Sequence, residues 1–219
     1  MLSSASRRSV PILGSLNPFT YIAALEKGGV SSPFSVTWKD IHPRIVALAR
    51  QHNLGLPSEL RSVKGERPEE YGTRVAICDK HVLNQNHIQY FGKLEHSLTD
   101  KFLWFYTGRP QPPLYLQSGA LNQHDGSKAV VRSTARTRVT MAFRVALVNN
   151  DYSWAGIGSP DNPRTRGTHL YGTVRILASK PKTVMQLEFQ SLVGYFDQLI
   201  RSRIVPTLRT KVTRVGIKR

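Results

Sequence analysis

The sequence predicts an α+β fold: a single domain with a twisted antiparallel sheet packed against two or three helices, behind a flexible N-terminal arm. Apolar residues recur at helical spacing in some segments and alternate at strand spacing in others, and a run rich in Ser, Pro and Gly opens the chain. At 219 residues and 40% hydrophobic content, one core can form without metals or disulfides. We expect the arm at 1–36 and the domain, with a basic C-terminal tail, at 37–219.

Three segments have the spacing of three and four residues that is typical of an amphipathic helix. The first covers 37–51. The second covers 91–106 and is followed by Gly108, a helix-ending residue. The third opens at Ser191, whose hydroxyl suits a helix N-cap, and runs to about Ile200.

The sheet is predicted from four apolar segments. A short strand starts at 74–77, and 138–148 alternates apolar and small or polar residues with a period of two. A hairpin is expected from strands at 170–177 and 184–189, joined by a turn that contains Pro181. The stretch 149–168 has no periodicity, which predicts a mobile loop.

Charge is the first indication of function. The chain has 31 Lys and Arg against 14 Asp and Glu, a net charge of +17, and residues 121–219 hold 17 basic and 5 acidic residues. Such a surplus implies a polyanionic partner, either RNA or an acidic membrane surface; a merely basic surface is the plainer alternative. The anion-binding residues predicted from this half of the chain are Arg132, Arg136, Arg138, Arg201, Arg203, Arg209, Lys211 and Arg214.

The arm contains a short apolar cluster on an otherwise polar segment. Its members are Phe19, Tyr21, Ile22 and Leu25. Because such patches usually mark interaction sites, they predict self-association into a homo-oligomer. The same segment has no acidic residue before Glu26, a composition that also resembles a mitochondrial transit peptide.

Residues that would perform catalysis or bind a metal do not form a recognisable pattern. Cys78, His81, His87 and His96 lie close in sequence, but their gaps match no zinc-site spacing. Glu69 and Glu70 are adjacent in a polar loop, which favours solvated charges over an acid/base pair. We therefore expect a protein without enzymatic activity, metal or cofactor. No segment has 18 consecutive apolar residues, and the single cysteine fits a reducing compartment, so we expect a soluble intracellular domain.

One short motif has a known binding mechanism. Pro112, Pro113, Leu114 and Tyr115 spell P-P-x-Y, the ligand of WW domains, which hold the paired prolines as a polyproline II ribbon. The alternative is that Leu114 and Tyr115 begin a strand after a proline-rich turn. The sequence leaves both interpretations open, with a slight preference for an exposed motif.

Several segments resemble rhabdovirus matrix proteins. FGKLEHSL at 91–98, continuing through an aromatic-rich turn to Gly108, is similar to the first helix of that family. Residues 167–176 are similar to its penultimate strand, and 191–204 to its C-terminal helix. The resemblance spans about 72–215, and length, basicity and the N-terminal arm agree with it.

The resemblance implies a matrix protein that coats and condenses the viral nucleocapsid ribonucleoprotein, self-associates, and links the particle to an acidic membrane during budding. It places the protein in the virion, the host cytoplasm and the inner face of the host membrane. The P-P-x-Y motif would recruit a host ubiquitin ligase through its WW domains. Here, however, the motif lies at 112–115 instead of in the arm, and the arm lacks the family's lysine cluster.

Two other classes of protein share some of these sequence features. An RNA-binding mitochondrial ribosomal protein would explain the acid-free start and the basic C-terminal half. A basic jelly-roll capsid protein is disfavoured, because the sequence predicts too many helices and too few strands.

Overall fold

A four-stranded mixed sheet lies at the centre of the chain, and a computed structural model describes residues 36–92, 96–108, 111–121 and 126–211 around it. The strands are β1 Leu54–Gly55, β2 Arg61–Ser62, β3 Thr73–Cys78, β4 His81–Val82, β5 Leu114–Ala120, β6 Thr168–Leu170, β7 Gly172–Ala178 and β8 Arg209–Lys211. The helices are α1 Pro43–Gln51, α2 Pro68–Tyr71, α3 Gln85–Ile88, α4 Thr99–Thr107, α5 Ala129–Asn149, α6 Pro181–Gln186, α7 Phe189–Leu199 and α8 Val205–Leu208. This mixture confirms the predicted α+β class.

The central sheet has the strand order β2-β3-β7-β5. β3 pairs antiparallel with β7, with Val75 opposite Ile176, as expected. β5 instead pairs parallel with β7, with Leu116 opposite Val174, so the prediction of a wholly antiparallel sheet was wrong. The reason is the connection: α5 carries the chain back along the sheet, as a crossover between parallel strands requires.

The segment 138–148, predicted as the strongest strand, lies inside α5, and that prediction was wrong. Val139, Phe143 and Leu147 are spaced by four residues, a spacing that fits both a strand period of two and one face of a helix. The buried residues of α5 are Ala135, Val139, Ala142, Phe143, Ala146 and Leu147, which is helical spacing. Packed between the sheet and α7, this helix holds the main core, and the rings of Phe143 and Phe196 meet edge to face at 5.7 Å.

The predicted hairpin was also wrong in its second strand. Its first strand corresponds to β7, but 184–189 forms the end of α6 and the start of α7. Pro181 occupies the first turn of α6, where its missing N–H and fixed φ favour a helix. Because β7 already pairs with β3 on one side and β5 on the other, no edge remains for a hairpin partner.

The predicted C-terminal helix is confirmed. It begins slightly earlier than Ser191, at Phe189, and continues beyond Leu199 as a π-helix over Ile200–Ile204. Within this turn the Val205 N–H bonds to the carbonyl of Ile200, five residues back. Pro206 cannot donate a backbone hydrogen bond and crowds the carbonyl four residues earlier, which explains the wider turn before it.

A second, smaller core forms beside the sheet from the N-terminal part of the domain. Its buried residues include Ile41, Ile45, Leu83, Phe91 and Tyr106. The helices around it are shorter than predicted. The 37–51 segment is helical from Pro43, after a 3₁₀ turn at Trp38–Asp40. In the 91–106 segment α4 begins at Thr99, and the first two residues are not helical, since Phe91 is buried in this core and Gly92 forms a β-bridge with Ile41.

The strand predicted at 74–77 is confirmed within β3. Between Asn149, which ends α5, and Thr168, which begins β6, the predicted loop contains neither helix nor strand, but it is internally bonded. Bridges join Tyr152 to Gly158 and Ile157 to His169, and β6 at its end pairs with β8. This loop is therefore braced against the rest of the domain.

Candidate nucleic-acid interface

The most basic element of the described structure is α5, which contains four arginines and no Asp or Glu. Arg132, Arg136, Thr140 and Arg144 follow one another at four-residue spacing and therefore lie along one flank of the helix. The Arg136 Nε–H donates to Ser118 Oγ of β5 at 3.2 Å, so this flank borders the edge strand of the sheet. We call these four residues, with Ser133, the basic stripe. Its arginines extend over about 18 Å at 1.5 Å per residue.

Nothing acidic on the helix neutralises the stripe. Arg136 is exposed, and its side chain donates to the neutral Ser118 hydroxyl. Arg132 donates to the carbonyl of Ser127, a neutral group. The Thr140 hydroxyl donates to the carbonyl of Arg136 at 2.7 Å, which leaves its oxygen available as an acceptor. The stripe therefore combines guanidinium groups on an acid-free helix with small hydroxyl groups, a composition that suits phosphate oxygens.

Trp154 extends the stripe at its Arg144 end, and neither residue was predicted from the sequence. The guanidinium carbon of Arg144 lies 5.0 Å from the centroid of the Trp154 ring, a cation–π contact. With a strand predicted at 138–148, Arg144 was not expected to share a helix face with Arg132 and Arg136. With a mobile loop predicted at 149–168, Trp154 was not expected to have a fixed position. One signal could have found them: residues 127–155 contain neither Gly nor Pro, which favours a long helix.

Arg138, predicted to bind anions, points away from the stripe. Its Nη2 donates to the Leu187 carbonyl at 2.5 Å, and its guanidinium lies 5.7 Å from the Phe189 ring. Its Nε is buried without a hydrogen-bond partner among the described residues. The structure therefore uses Arg138 to join α5 to the start of α7.

The remaining predicted arginines lie elsewhere. Arg201 pairs with Asp197 at 2.9 Å and donates to Asn150 at the end of α5, so its charge is already compensated. Arg203 is exposed in the π-helix. Arg209 donates to the carbonyl of Arg164. The backbone of Lys211 belongs to β8, and Arg214 lies outside the described residues.

One arginine of the basic C-terminal part of the chain, residues 121–219, is not on the surface. Arg175 is only 6% exposed, in the central strand β7, and donates to Gln117 Oε1 from Nε at 3.0 Å and from Nη2 at 2.8 Å. Gln117 in turn donates to the carbonyl of Val82 at 2.7 Å. Burial lowers the pKa of the Arg175 guanidinium. This charge belongs to the internal polar network of the sheet and adds no donor to the stripe.

The P-P-x-Y motif straddles the start of β5. Pro112 is exposed, but Leu114 is 2% exposed and its N–H donates to the carbonyl of Ala155 at 3.0 Å. The carbonyl of Pro113 accepts from the N–H of Gly172, and Tyr115 lies opposite Thr173 in the parallel ladder. The strand interpretation therefore describes the second half of the motif, and the preference for an exposed motif was wrong for Leu114.

The groups considered for catalysis or metal binding are dispersed. Cys78 is buried, which raises the pKa of its thiol, and Glu69 and Glu70 pair with Lys180 and Arg67. Within the described ranges, no three His, Cys, Asp or Glu side chains lie close enough together to share a metal ion. The predicted self-association residues, Phe19, Tyr21, Ile22 and Leu25, all lie outside the part of the chain that the structure describes.

Comparison with known proteins adds no relative: no protein-family model, curated protein or solved structure matches the chain. Among the described helices, none combines the length and apolarity needed to cross a bilayer.

Proposed function

We propose that the chain is a non-enzymatic, RNA-binding assembly protein of the viral matrix type. In this role it binds the RNA of a ribonucleoprotein along the basic stripe, self-associates, and brings the particle to an acidic membrane surface. The proposal combines the matrix-protein resemblance of the sequence with one structural observation. That observation is the basic stripe on an acid-free helix beside a sheet edge.

Electrostatics favours a long polyanion over a small anion as the ligand of the stripe. The first and last arginines lie about 18 Å apart along the helix, a distance comparable to about five intervals of 3.4 Å between successive phosphates along the axis of one duplex strand. Neighbouring arginines of the stripe are one or two helical turns apart along α5, so they form a row and not a single cluster. A chain of phosphates can neutralise them in sequence, and each contact releases a condensed counterion.

The position of the stripe supports access by a large partner. β5 is an edge strand of the central sheet, and the flank of α5 beside it carries Arg136, which is exposed. Arg138 and Arg201, by contrast, are engaged with the helices α6–α7 and with Asp197. The stripe thus contains the three arginines of α5 other than Arg138, which joins this helix to the start of α7.

The test is the salt dependence of RNA binding by the full chain. Wild-type protein and Arg132→Gln/Arg136→Gln are titrated into a labelled single-stranded RNA at increasing salt. Glutamine preserves most of the aliphatic stem while removing the charge. The double variant should reduce the slope of log affinity against log salt by about 1.5, since each lost phosphate contact contributes roughly 0.7–0.9.

The matched control removes two exposed arginines near the edge of the sheet opposite β5, Arg61 on β2 and Arg74 on β3. Arg61→Gln/Arg74→Gln changes the net charge equally but should leave the slope near that of the wild type. Equal losses in both double variants would show that binding is not located at the stripe. An affinity of the wild type that does not change with salt would refute electrostatic RNA binding altogether.

A further inference from the structure

Trp154 is an exposed aromatic side chain at the end of the basic stripe. Its side chain remains 55% exposed, although a tryptophan gains more than most residues by burial. Arg144 lies against its ring, and the exposed apolar side chains of Val148 and Ile157 belong to the adjoining helix end and turn. Exposed apolar side chains concentrated in one part of a fold are candidates for a binding site.

The turn that carries Trp154 is held in place by backbone hydrogen bonds. The Ser153 N–H donates to the Ile157 carbonyl and the Gly156 N–H donates to the Ser153 carbonyl, each at 2.8 Å. The Ala155 carbonyl accepts from Leu114 of β5. The indole is therefore presented from a braced turn beside the same sheet edge that borders the stripe.

Gly156 makes this close approach possible. Its φ is +78°, and a Cβ at this position would lie 2.5 Å from the Cβ of Leu114. Any other residue would push the turn away from β5 or strain the backbone. The position of Trp154 is thus built into the fold.

Charge decides which partner fits the exposed indole. A partner that covers Trp154 must also approach Arg144, and the helix beneath it has no acidic residue. Single-stranded nucleic acid supplies both matching groups: a flat base for the indole and a phosphate for the guanidinium. Duplex RNA presents phosphates, 2′-hydroxyls and base edges but no free base face for the indole, because its bases are stacked inside the helix.

We propose that Trp154, held against Arg144, is a base-stacking platform that gives the basic stripe a preference for single-stranded over duplex RNA. This inference rests on the proposed RNA binding. An unpaired base stacks on the exposed indole surface while Arg144 contacts an adjacent phosphate, and the remaining stripe follows the backbone.

The experiment compares wild type, Trp154→Ala and Trp154→Phe on a labelled single-stranded RNA and on a duplex of equal length. The alanine variant should bind the single strand about tenfold more weakly or worse, and the duplex unchanged, because stacking contributes roughly 1–3 kcal/mol per base. Its slope of log affinity against log salt should not change, because no phosphate contact is removed. The phenylalanine variant should recover most of the lost affinity.

The matched control is Trp104→Ala, which removes a tryptophan of similar exposure (58%) on α4 and should leave both affinities unchanged. Tryptophan emission provides a second measurement, since single-stranded RNA should quench it in the wild type and much less in Trp154→Phe. Thermal melts of every variant report whether the domain remains folded.

The outcomes separate the two proposals. Equal weakening of single-strand and duplex binding in Trp154→Ala, with unchanged melting temperature, would overturn the platform but not RNA binding. Loss of self-association or of binding to acidic vesicles, with single-strand affinity unchanged, would also overturn the platform and assign the indole to a protein or a membrane. No binding of the wild type to either RNA would overturn both proposals.

Discussion

At the scale of the residue, His87 illustrates how a polar side chain is accommodated in the smaller core. Its Nδ1 lies 2.8 Å from the hydroxyl oxygen of Tyr106, which also accepts the N–H of Asn84 at 2.8 Å. The Tyr106 hydroxyl can donate its hydrogen to Nδ1 only while that nitrogen is unprotonated. Burial lowers the pKa of His87 below its ordinary 6.5 and raises the pKa of Tyr106. Both groups are therefore neutral in the folded domain at neutral pH.

This arrangement predicts a loss of stability on acidification. Because the unfolded chain binds a proton at His87 at higher pH than the folded chain does, stability is complete above about pH 6.5 and falls as the pH drops below it. His87→Gln retains an acceptor without titrating in this range, so its melting temperature should fall less between pH 7.5 and 5.5. His52→Gln, which replaces a half-exposed histidine of the same domain, should keep the full wild-type decrease. If His87→Gln and the wild type lose stability in parallel, the Tyr106 contact does not control this dependence.

At the scale of the element, α5 shows why a periodic pattern can support two structures. Val139, Phe143 and Leu147 are compatible with both periods, and the apolar Met141 and Val145 between them strengthened the alternation. In the helix, Met141 is 38% exposed, whereas Ala142 and Ala146, expected on the opposite face of a strand, are fully buried. The small alanines allow close approach of the sheet and α7, and this packing is a property of the tertiary structure.

β5 determines what the P-P-x-Y motif can bind. A WW domain must hold the motif as a polyproline II ribbon, but Leu114 is buried and its backbone, like that of Tyr115, belongs to the sheet. We therefore predict that the folded protein does not retain a WW domain in a pull-down, whereas a synthetic peptide of residues 108–118 does. Tyr115→Ala in the peptide should abolish that binding. The strand interpretation would be contradicted if the folded wild type retained a WW domain and the complex melted at the same temperature as the free protein.

At the scale of the whole molecule, both hydrophobic cores lie within the described part of the domain. Among the described residues, Val36 and Trp38 are the first in the chain to pack against a core, and both pack against the smaller one. The predicted self-association residues all precede this point in the sequence. Folding and self-association are therefore expected to depend on different parts of the chain.

A protein of residues 36–219 should consequently unfold as cooperatively as the full chain and sediment as a monomer at concentrations where the full chain self-associates. Sedimentation velocity with parallel thermal melts measures both properties. The control keeps the full chain length but changes four residues of the arm to Ser: Phe19, Tyr21, Ile22 and Leu25. It should behave like the truncated form. Polymerisation of the truncated protein at wild-type concentrations would assign self-association to the domain instead.

The amino-acid sequence by itself determined the charge, the α+β class and those elements whose apolar spacing fits either a helix or a strand but not both. The sequence predicted β3 and the C-terminal helix correctly, because their apolar residues fit a single period and adjacent residues suit the element's ends. It also concentrated the basic residues in the second half of the chain. These properties depend on composition and local spacing alone.

Only the tertiary structure decided the rest. It made 138–148 a helix, because α5 must cross from β5 to the parallel strand β7 while burying one face. It turned Arg138 toward α7 and brought Trp154 to Arg144, contacts between residues that no local period relates. It also buried Leu114 of the P-P-x-Y motif at a sheet edge. Local spacing specifies which residues share a face, but the neighbouring elements specify what that face contacts.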